Sequence, residues 1–194
     1  MCPAPVRGNA EFPKPTAQDA INVAIATFEA GQRVDMAQIA DRLGVGRSTL
    51  YRWVGDREAL MDRVIDETTI KLAKSVQRRV RGKGLDRTVS AVKVYLKATT
   101  EYEPLRSLAD REPHLALHVF MNPDGVFSRN TRDCLREQLD RDLPDAEIPD
   151  EVVDVLNATN LALVWASVAG GYDAHIERVV AILRTVLGSY VPSG

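Results

Sequence analysis

Cysteine is almost missing from this chain. Cys2 and Cys134 are the only two in 194 residues, which excludes a disulfide framework and a paired thiolate metal site. A reducing cytoplasm is the compartment that fits such usage. Long hydrophobic runs are missing too: the most apolar stretch, "LALVWASVAG" at 161–170, is about half of the roughly 20 residues that cross a bilayer. The first residues hold no apolar core of a signal peptide, so no membrane partner is expected. Strand-like alternation bounded by hairpin turns occurs nowhere, which argues against sandwiches, barrels and wound sheets. Neither sign of charge dominates. A net charge of −2, with 27% charged and 45% hydrophobic residues, excludes wholesale disorder and a uniformly basic protein. No serine, cysteine or histidine stands with partners at a catalytic spacing, so neither an enzyme nor a cofactor is expected.

What is present is helical grammar. Prolines crowd "MCPAPVRGNAEFPKP", which reads as a flexible arm over residues 1–15. Order starts at Thr16, which caps a first helix with Asp19 at the third position; Ile21, Ala24, Ile25 and Phe28 recur at helical spacing and Gly31 stops it. Asp35 caps a second helix, Gln38 closes a capping box, Met36, Ile39, Ala40 and Leu43 face inward, and Gly44 supplies a left-handed stop. A third helix runs from Arg47 to about Val54, and Asp56 caps a long fourth reaching towards Arg81. Helical patterns follow at 85–101, 104–110, 113–121, 127–143, 150–169 and 173–191. The expectation is an all-α chain of about nine helices, without internal repeats. It divides into the arm, a three-helix unit with a helix-turn-helix at 16–62, and a larger helical unit at 63–194.

The stretch "IADRLGVGRSTLYRWVGDREAL" at 39–60 concentrates glycine, arginine, hydroxyls and aromatics. "GVGRST" resembles half of a phosphate-binding loop, but Asp41 stands where the first glycine belongs, Arg47 replaces the lysine and no strand precedes it. A dinucleotide fingerprint fails because Thr49 replaces its third glycine. A helix-turn-helix accounts for more of the residues. Ile39 and Leu43 lie one turn apart, Leu50 faces them across the turn, Val45 fills it, and small Ala40 permits a close crossing. With Leu50 and Val54 inward, Arg47, Ser48, Tyr51 and Arg52 turn outward together. Such a face suits a DNA groove: arginine as a bidentate donor to guanine, hydroxyls to phosphate, an aromatic on sugar, and a helix N-terminus towards phosphate.

Local charge agrees. Residues 42–83 hold eleven Lys/Arg against five Asp/Glu, a net of +6, whereas 133–154 hold two against nine, a net of −7. This polarisation suits a protein that touches DNA at one end. A competing account of "VQRRVRGK" at 76–83 is that it complements the dipole at a helix C-terminus.

"FEAGQ" followed by "IADRLGVGRSTLYRWVGDREAL" resembles the DNA-binding domain of the TetR family of one-component transcriptional regulators, over about residues 17–62. The resemblance implies a homodimer that represses transcription from a double-stranded operator until a small molecule enters a C-terminal cavity. By matching position it implies base reading by Arg47 and Ser48, and phosphate contact by Thr49, Tyr51 and Arg57. Arg52 and Trp53 complete the expected DNA surface. Three positions depart from the pattern: Gly46 stands where serine is frequent, Trp53 where histidine is common, and the acidic Asp35 where a neutral hydroxyl would suit a nearby phosphate. Within the family, "YRWVGDREAL" is similar to the QsdR-like regulators of lactone-degrading genes, which implies a small apolar or lactone-like effector.

The last two helical segments are apolar around much of their circumference, with Ala158, Ala162, Ala166 and Gly170 permitting close approach. A pair of such segments buried on two sides is expected to form the homodimer interface as a hairpin. Polar and aromatic residues within apolar helices mark candidate effector contacts: Tyr95, Tyr102, His118, Phe120, Phe127, Asn157, Asn160 and Trp165. His114 and His118 stand one turn apart, but no third ligand accompanies them, so no metal is expected. Two other functions stay open on these residues. One is a protein-binding helical adaptor anchored by Tyr51 and Trp53; the other is an activator whose DNA binding the ligand strengthens.

Overall fold

The computed structural model describes residues 14–192, and among them every regular element is an α-helix. The arm expected at 1–15 lies, apart from its last two residues, outside the described residues, as does Cys2. Ten helices run in order: α1 (Ala17–Glu29), α2 (Met36–Leu43), α3 (Arg47–Val54), α4 (Arg57–Arg79), α5 (Gly84–Thr100), α6 (Glu103–Arg111), α7 (Pro113–Met121), α8 (Val126–Asp142), α9 (Asp150–Gly170) and α10 (Ile176–Gly188). Each segment expected to be helical is present, the short one at 104–110 as α6 with Pro104 near its N-terminus.

Local chemistry sets the ends. Thr16 accepts from the Asp19 amide at 3.3 Å while the Asp19 carboxylate accepts from the Thr16 amide at 2.8 Å, a complete capping box. Asp35 takes the Ala37 and Gln38 amides at 2.8 and 3.0 Å, but the Gln38 side chain does not return the bond. One Asp oxygen already holds both amides, and Gln38 is exposed, where water serves its side chain as well. Gly44 ends α2 at φ 65°, in the left-handed region. The last helix begins at Ile176 rather than 173, because Asp173 accepts from the His175 amide at 2.8 Å and a turn ending in left-handed His175 occupies the interval.

Burial follows the helical periodicity. One apolar core runs from Ala20 and Phe28 in α1, through Leu50, Leu60 and Met61, to Leu183 and Leu187 in α10. A satellite cluster of Val76, Val80 and Ala91 lies at the far end of α4. α4 packs against α1 and α3 and also against α5 and α8, so the expected boundary at 62/63 falls inside a helix shared by both parts. α9 packs on α5, α6, α7 and α8, while the main partner of α10 is α5. By length and composition α9 alone among the described helices could cross a bilayer, since the helix extends the apolar run at 161–170 back to Asp150; here it packs within the bundle.

Candidate nucleic-acid interface and internal cavity

The helix-turn-helix assembles on the residues that suggest it. Ile39, Ala40, Leu50 and Val54 are at most 2% exposed and form the wedge between α2 and α3, with Leu43 and Val45 partly buried beside them. With that face inward, Arg47, Ser48, Tyr51 and Arg52 are exposed together, Tyr51 at 50%. Thr49 is half-buried. The Trp53 ring packs partly on the core. No side chain caps α3: Gly46 precedes it in extended conformation, its carbonyl accepting from Thr49 and Leu50, so the first amides of the helix stay free to face an anion. Its backbone does not require glycine, and an added Cβ would meet only Ser48 Oγ, at 3.9 Å.

Arg57, the first residue of α4, has partners within the fold. Its Nε donates to the Val34 carbonyl at 2.6 Å and its Nη2 to Glu112 Oε1 at 2.6 Å, at the seam between α4 and the α6–α7 junction. Arg33 approaches the same carboxylate at 3.7 Å. On the adjoining side Ser107 and Arg111 of α6 donate to the Gly31 carbonyl, and the Phe28 and Tyr102 rings meet edge-on at 6.2 Å. The junction of α6 and α7 thus grips the turn between α1 and α2. The basic run at 78–83 lies a full α4, about 35 Å, from the start of that helix. There Arg81 donates to the Arg78 carbonyl at 2.5 Å, which fits helix-end capping and removes those charges from the vicinity of α3.

A cavity of about 80 Å³ opens between α4, α5, α8 and α9. Of the expected effector contacts, Tyr95, Phe127, Asn157 and Asn160 line it together. Asn157 is tied across to α8 by donating to the Ser128 carbonyl at 3.0 Å. Tyr102 lines a smaller adjoining recess with Tyr95 and Phe127. Phe120 sits behind the wall, its ring 4.9 Å from Phe127 and 6.2 Å from Trp165, and neither Phe120 nor Trp165 lines the cavity. His118 is on the exposed face of α7, where it shares an outer groove with His114, Arg57 and Glu112. Burial, then the carboxylates of Glu137, Asp133 and Asp66, push the Cys134 thiol upward, so this cavity-lining cysteine stays protonated.

No protein-family model matches the chain, and neither does any curated protein. Solved structures do. The TetR-family transcriptional repressor QsdR of R. erythropolis superposes with a TM-score of 0.76 and 27% identity, over 92% of this chain and 96% of that one. The likeness is to the TetR family. The chain also superposes on the repressor AlkX of Dietzia sp. strain DQ12-45-1b, with a TM-score of 0.64 and 17% identity over 95% of this chain and 100% of that one. FadR of Bacillus halodurans, a fatty acid degradation regulator, gives 0.51 and 15% over 88% and 96%. These two likenesses concern the fold. The string "YRWVGDREAL" and the superposition on QsdR lead to the same branch of the TetR family, and the protein is a DNA-binding transcriptional regulator.

Several cavity residues escape sequence reasoning. Gln77 and Gln138 line the cavity from α4 and α8, with Thr69, Thr99 and Thr131. The signal for them is weak: each is a polar residue on the inner face of a charged helix, and periodicity locates that face only where apolar neighbours define it.

Proposed function

We propose that this chain is a cytoplasmic homodimeric repressor that leaves its operator when a small apolar or lactone-like ligand enters the cavity between α4, α5, α8 and α9. The observation that carries the reading is that α4 is both a wall of that cavity, through Thr69, Ala73, Val76 and Gln77, and a support of the α2–α3 unit. A ligand too large for about 80 Å³ must displace its walls, and a shift of α4 alters the seat of α3. Differential affinity for the two arrangements then couples ligand to DNA.

Two units support this division of labour, α1–α3 with the start of α4 for DNA and the remainder for ligand and dimer. On the DNA side the proposed contacts are Arg47 and Ser48 to bases, and Thr49, Tyr51, Arg52 and Trp53 to the backbone. The dimer reading rests on uncovered apolar positions of the last two helices: Val155 at 65% exposure on α9 and Ile182 at 63% on α10.

The test is binding to duplexes selected from random DNA, across a salt series. Affinity should fall steeply with salt, and Arg47→Ala should lose roughly 1–3 kcal/mol of preference for the selected duplex over a scrambled one. Salt-independent binding, or an undiminished preference in the variant, would refute this assignment. Ligand-strengthened binding would turn the repressor into an activator.

A further inference from the structure

We infer that the cavity takes an uncharged ligand bearing a hydrogen-bond acceptor on an apolar body, that the Tyr95 hydroxyl reads that acceptor, and that the carboxylate counterpart of the same molecule is rejected. The inference rests on the ligand-release reading above and narrows its ligand class.

Its first support is a donor without a partner. The Tyr95 hydroxyl oxygen is fully enclosed and makes no hydrogen bond of normal geometry to any described residue, the nearby Thr99 hydroxyl being spent on the Tyr95 carbonyl. Buried hydroxyls are normally bonded, and one left unpaired beside a cavity calls for a partner from outside the chain. Several other polar groups on the walls are already committed, Thr69 and Asn160 excepted. Thr99 and Thr131 donate back into their own helices, to the Tyr95 and Phe127 carbonyls at 2.8 and 3.0 Å. Gln77 donates to Gln138, Gln138 donates to Asp142, and the Gln77 carbonyl accepts from Arg87 at 2.8 Å and Arg141 at 2.9 Å. That chain satisfies itself and leaves the Tyr95 hydroxyl as the fully enclosed donor without a partner.

The second support is the absence of charge. Among the described residues no Lys, Arg, His, Asp or Glu lines the cavity. The arginines stop one residue behind the wall, and Arg87 is neutralised by Asp142 at 2.7 Å. A carboxylate entering here would shed its water and meet no cation, a cost that apolar burial of its tail does not offset. Two side chains report on how the site treats negative charge. Burial above all pushes both the Tyr95 phenol and the Cys134 thiol upward, so both are held in their neutral forms.

The experiment uses the full chain with three probes that share the same acyl chain: octanamide, methyl octanoate and octanoate. Titration calorimetry and melting-temperature shifts should show the amide and ester binding and octanoate binding at least about tenfold more weakly, as expected for a charge without a partner. Acidifying towards the carboxyl pKa should restore binding of the protonated acid. Tyr95→Phe, which removes one oxygen and keeps the ring, should weaken the amide and ester by about tenfold while the free protein melts no lower than the parent. Octanoate binding as tightly as octanamide, Tyr95→Phe binding both neutral probes undiminished, or no binding of either neutral probe would each overturn the inference. Duplex binding is measured alongside. A chain that holds DNA yet fails these tests loses only this inference, whereas a chain that holds no DNA loses the reading beneath it.

Discussion

Arg57 serves this molecule as a strut. A motif position implies that it meets phosphate, yet its guanidinium is bonded to Val34 and Glu112 in a partly buried ion pair, side chains 24% and 17% exposed. Two of its five N–H groups are thereby used, and any phosphate contact has to share the remainder. Arg57→Ala should therefore lower stability by about 1–3 kcal/mol in urea unfolding, and weaken binding to cognate and scrambled duplexes alike. Glu112→Gln keeps an acceptor for Arg57 and should cost less stability. An Arg57→Ala variant as stable as the parent would remove the strut role. Gly46 and Trp53 differ in kind from each other: geometry does not demand the glycine, while the tryptophan is partly buried against the core.

α2 depends on its cap more than a longer helix would, because eight residues make few internal bonds. The Gln38 amide above all, with that of Ala37, holds the Asp35 carboxyl below the ordinary carboxylate range, and Arg33 and Arg57 add to it. A depressed folded pKa means that this contribution is complete above the unfolded value and is lost as pH falls through the folded one. Asp35→Asn preserves capping without titrating. Urea midpoints followed downward from neutral pH should fall less for Asp35→Asn than for the parent, and parallel acid limbs would assign the loss to other carboxylates. α4 matters for a different reason. It continues without a break from the seam at Arg57 to the cavity wall at Gln77, so a displacement at one end is delivered to the other.

The assembled chain leaves apolar positions open on α9 and α10, with Val155 and Ile182 the most exposed large aliphatics there. A second copy is the proposed cover, and it would set the separation of two recognition helices at about 34–36 Å or a multiple. Ile182→Glu should yield a monomer by sedimentation, with unchanged helical content and much weaker binding to a two-half-site duplex. A monomeric parent chain would end the proposal. The polarisation of charge takes a more limited meaning in three dimensions. Only part of the +6 lies near α3, and the acidic 133–154 segment is partly neutralised by its own arginines, Arg132 on Asp154 at 2.5 Å and Arg136 on Asp150 at 2.7 Å.

Interactions between near neighbours were legible from residue order. The Thr16 and Asp35 caps, the left-handed Gly44, the Ile39–Leu50–Val54 wedge and the outward face of Arg47, Ser48, Tyr51 and Arg52 all follow from spacing within a few turns of helix. Long-range choices were not. Arg57 finds Glu112 55 residues away, His118 turns away from the cavity while Gln77 and Gln138 turn into it, and the basic run at 78–83 ends up remote from α3. Periodicity states which face of a helix seeks cover. Which neighbour supplies that cover, and so which polar groups meet across it, depends on how the helices pack against one another.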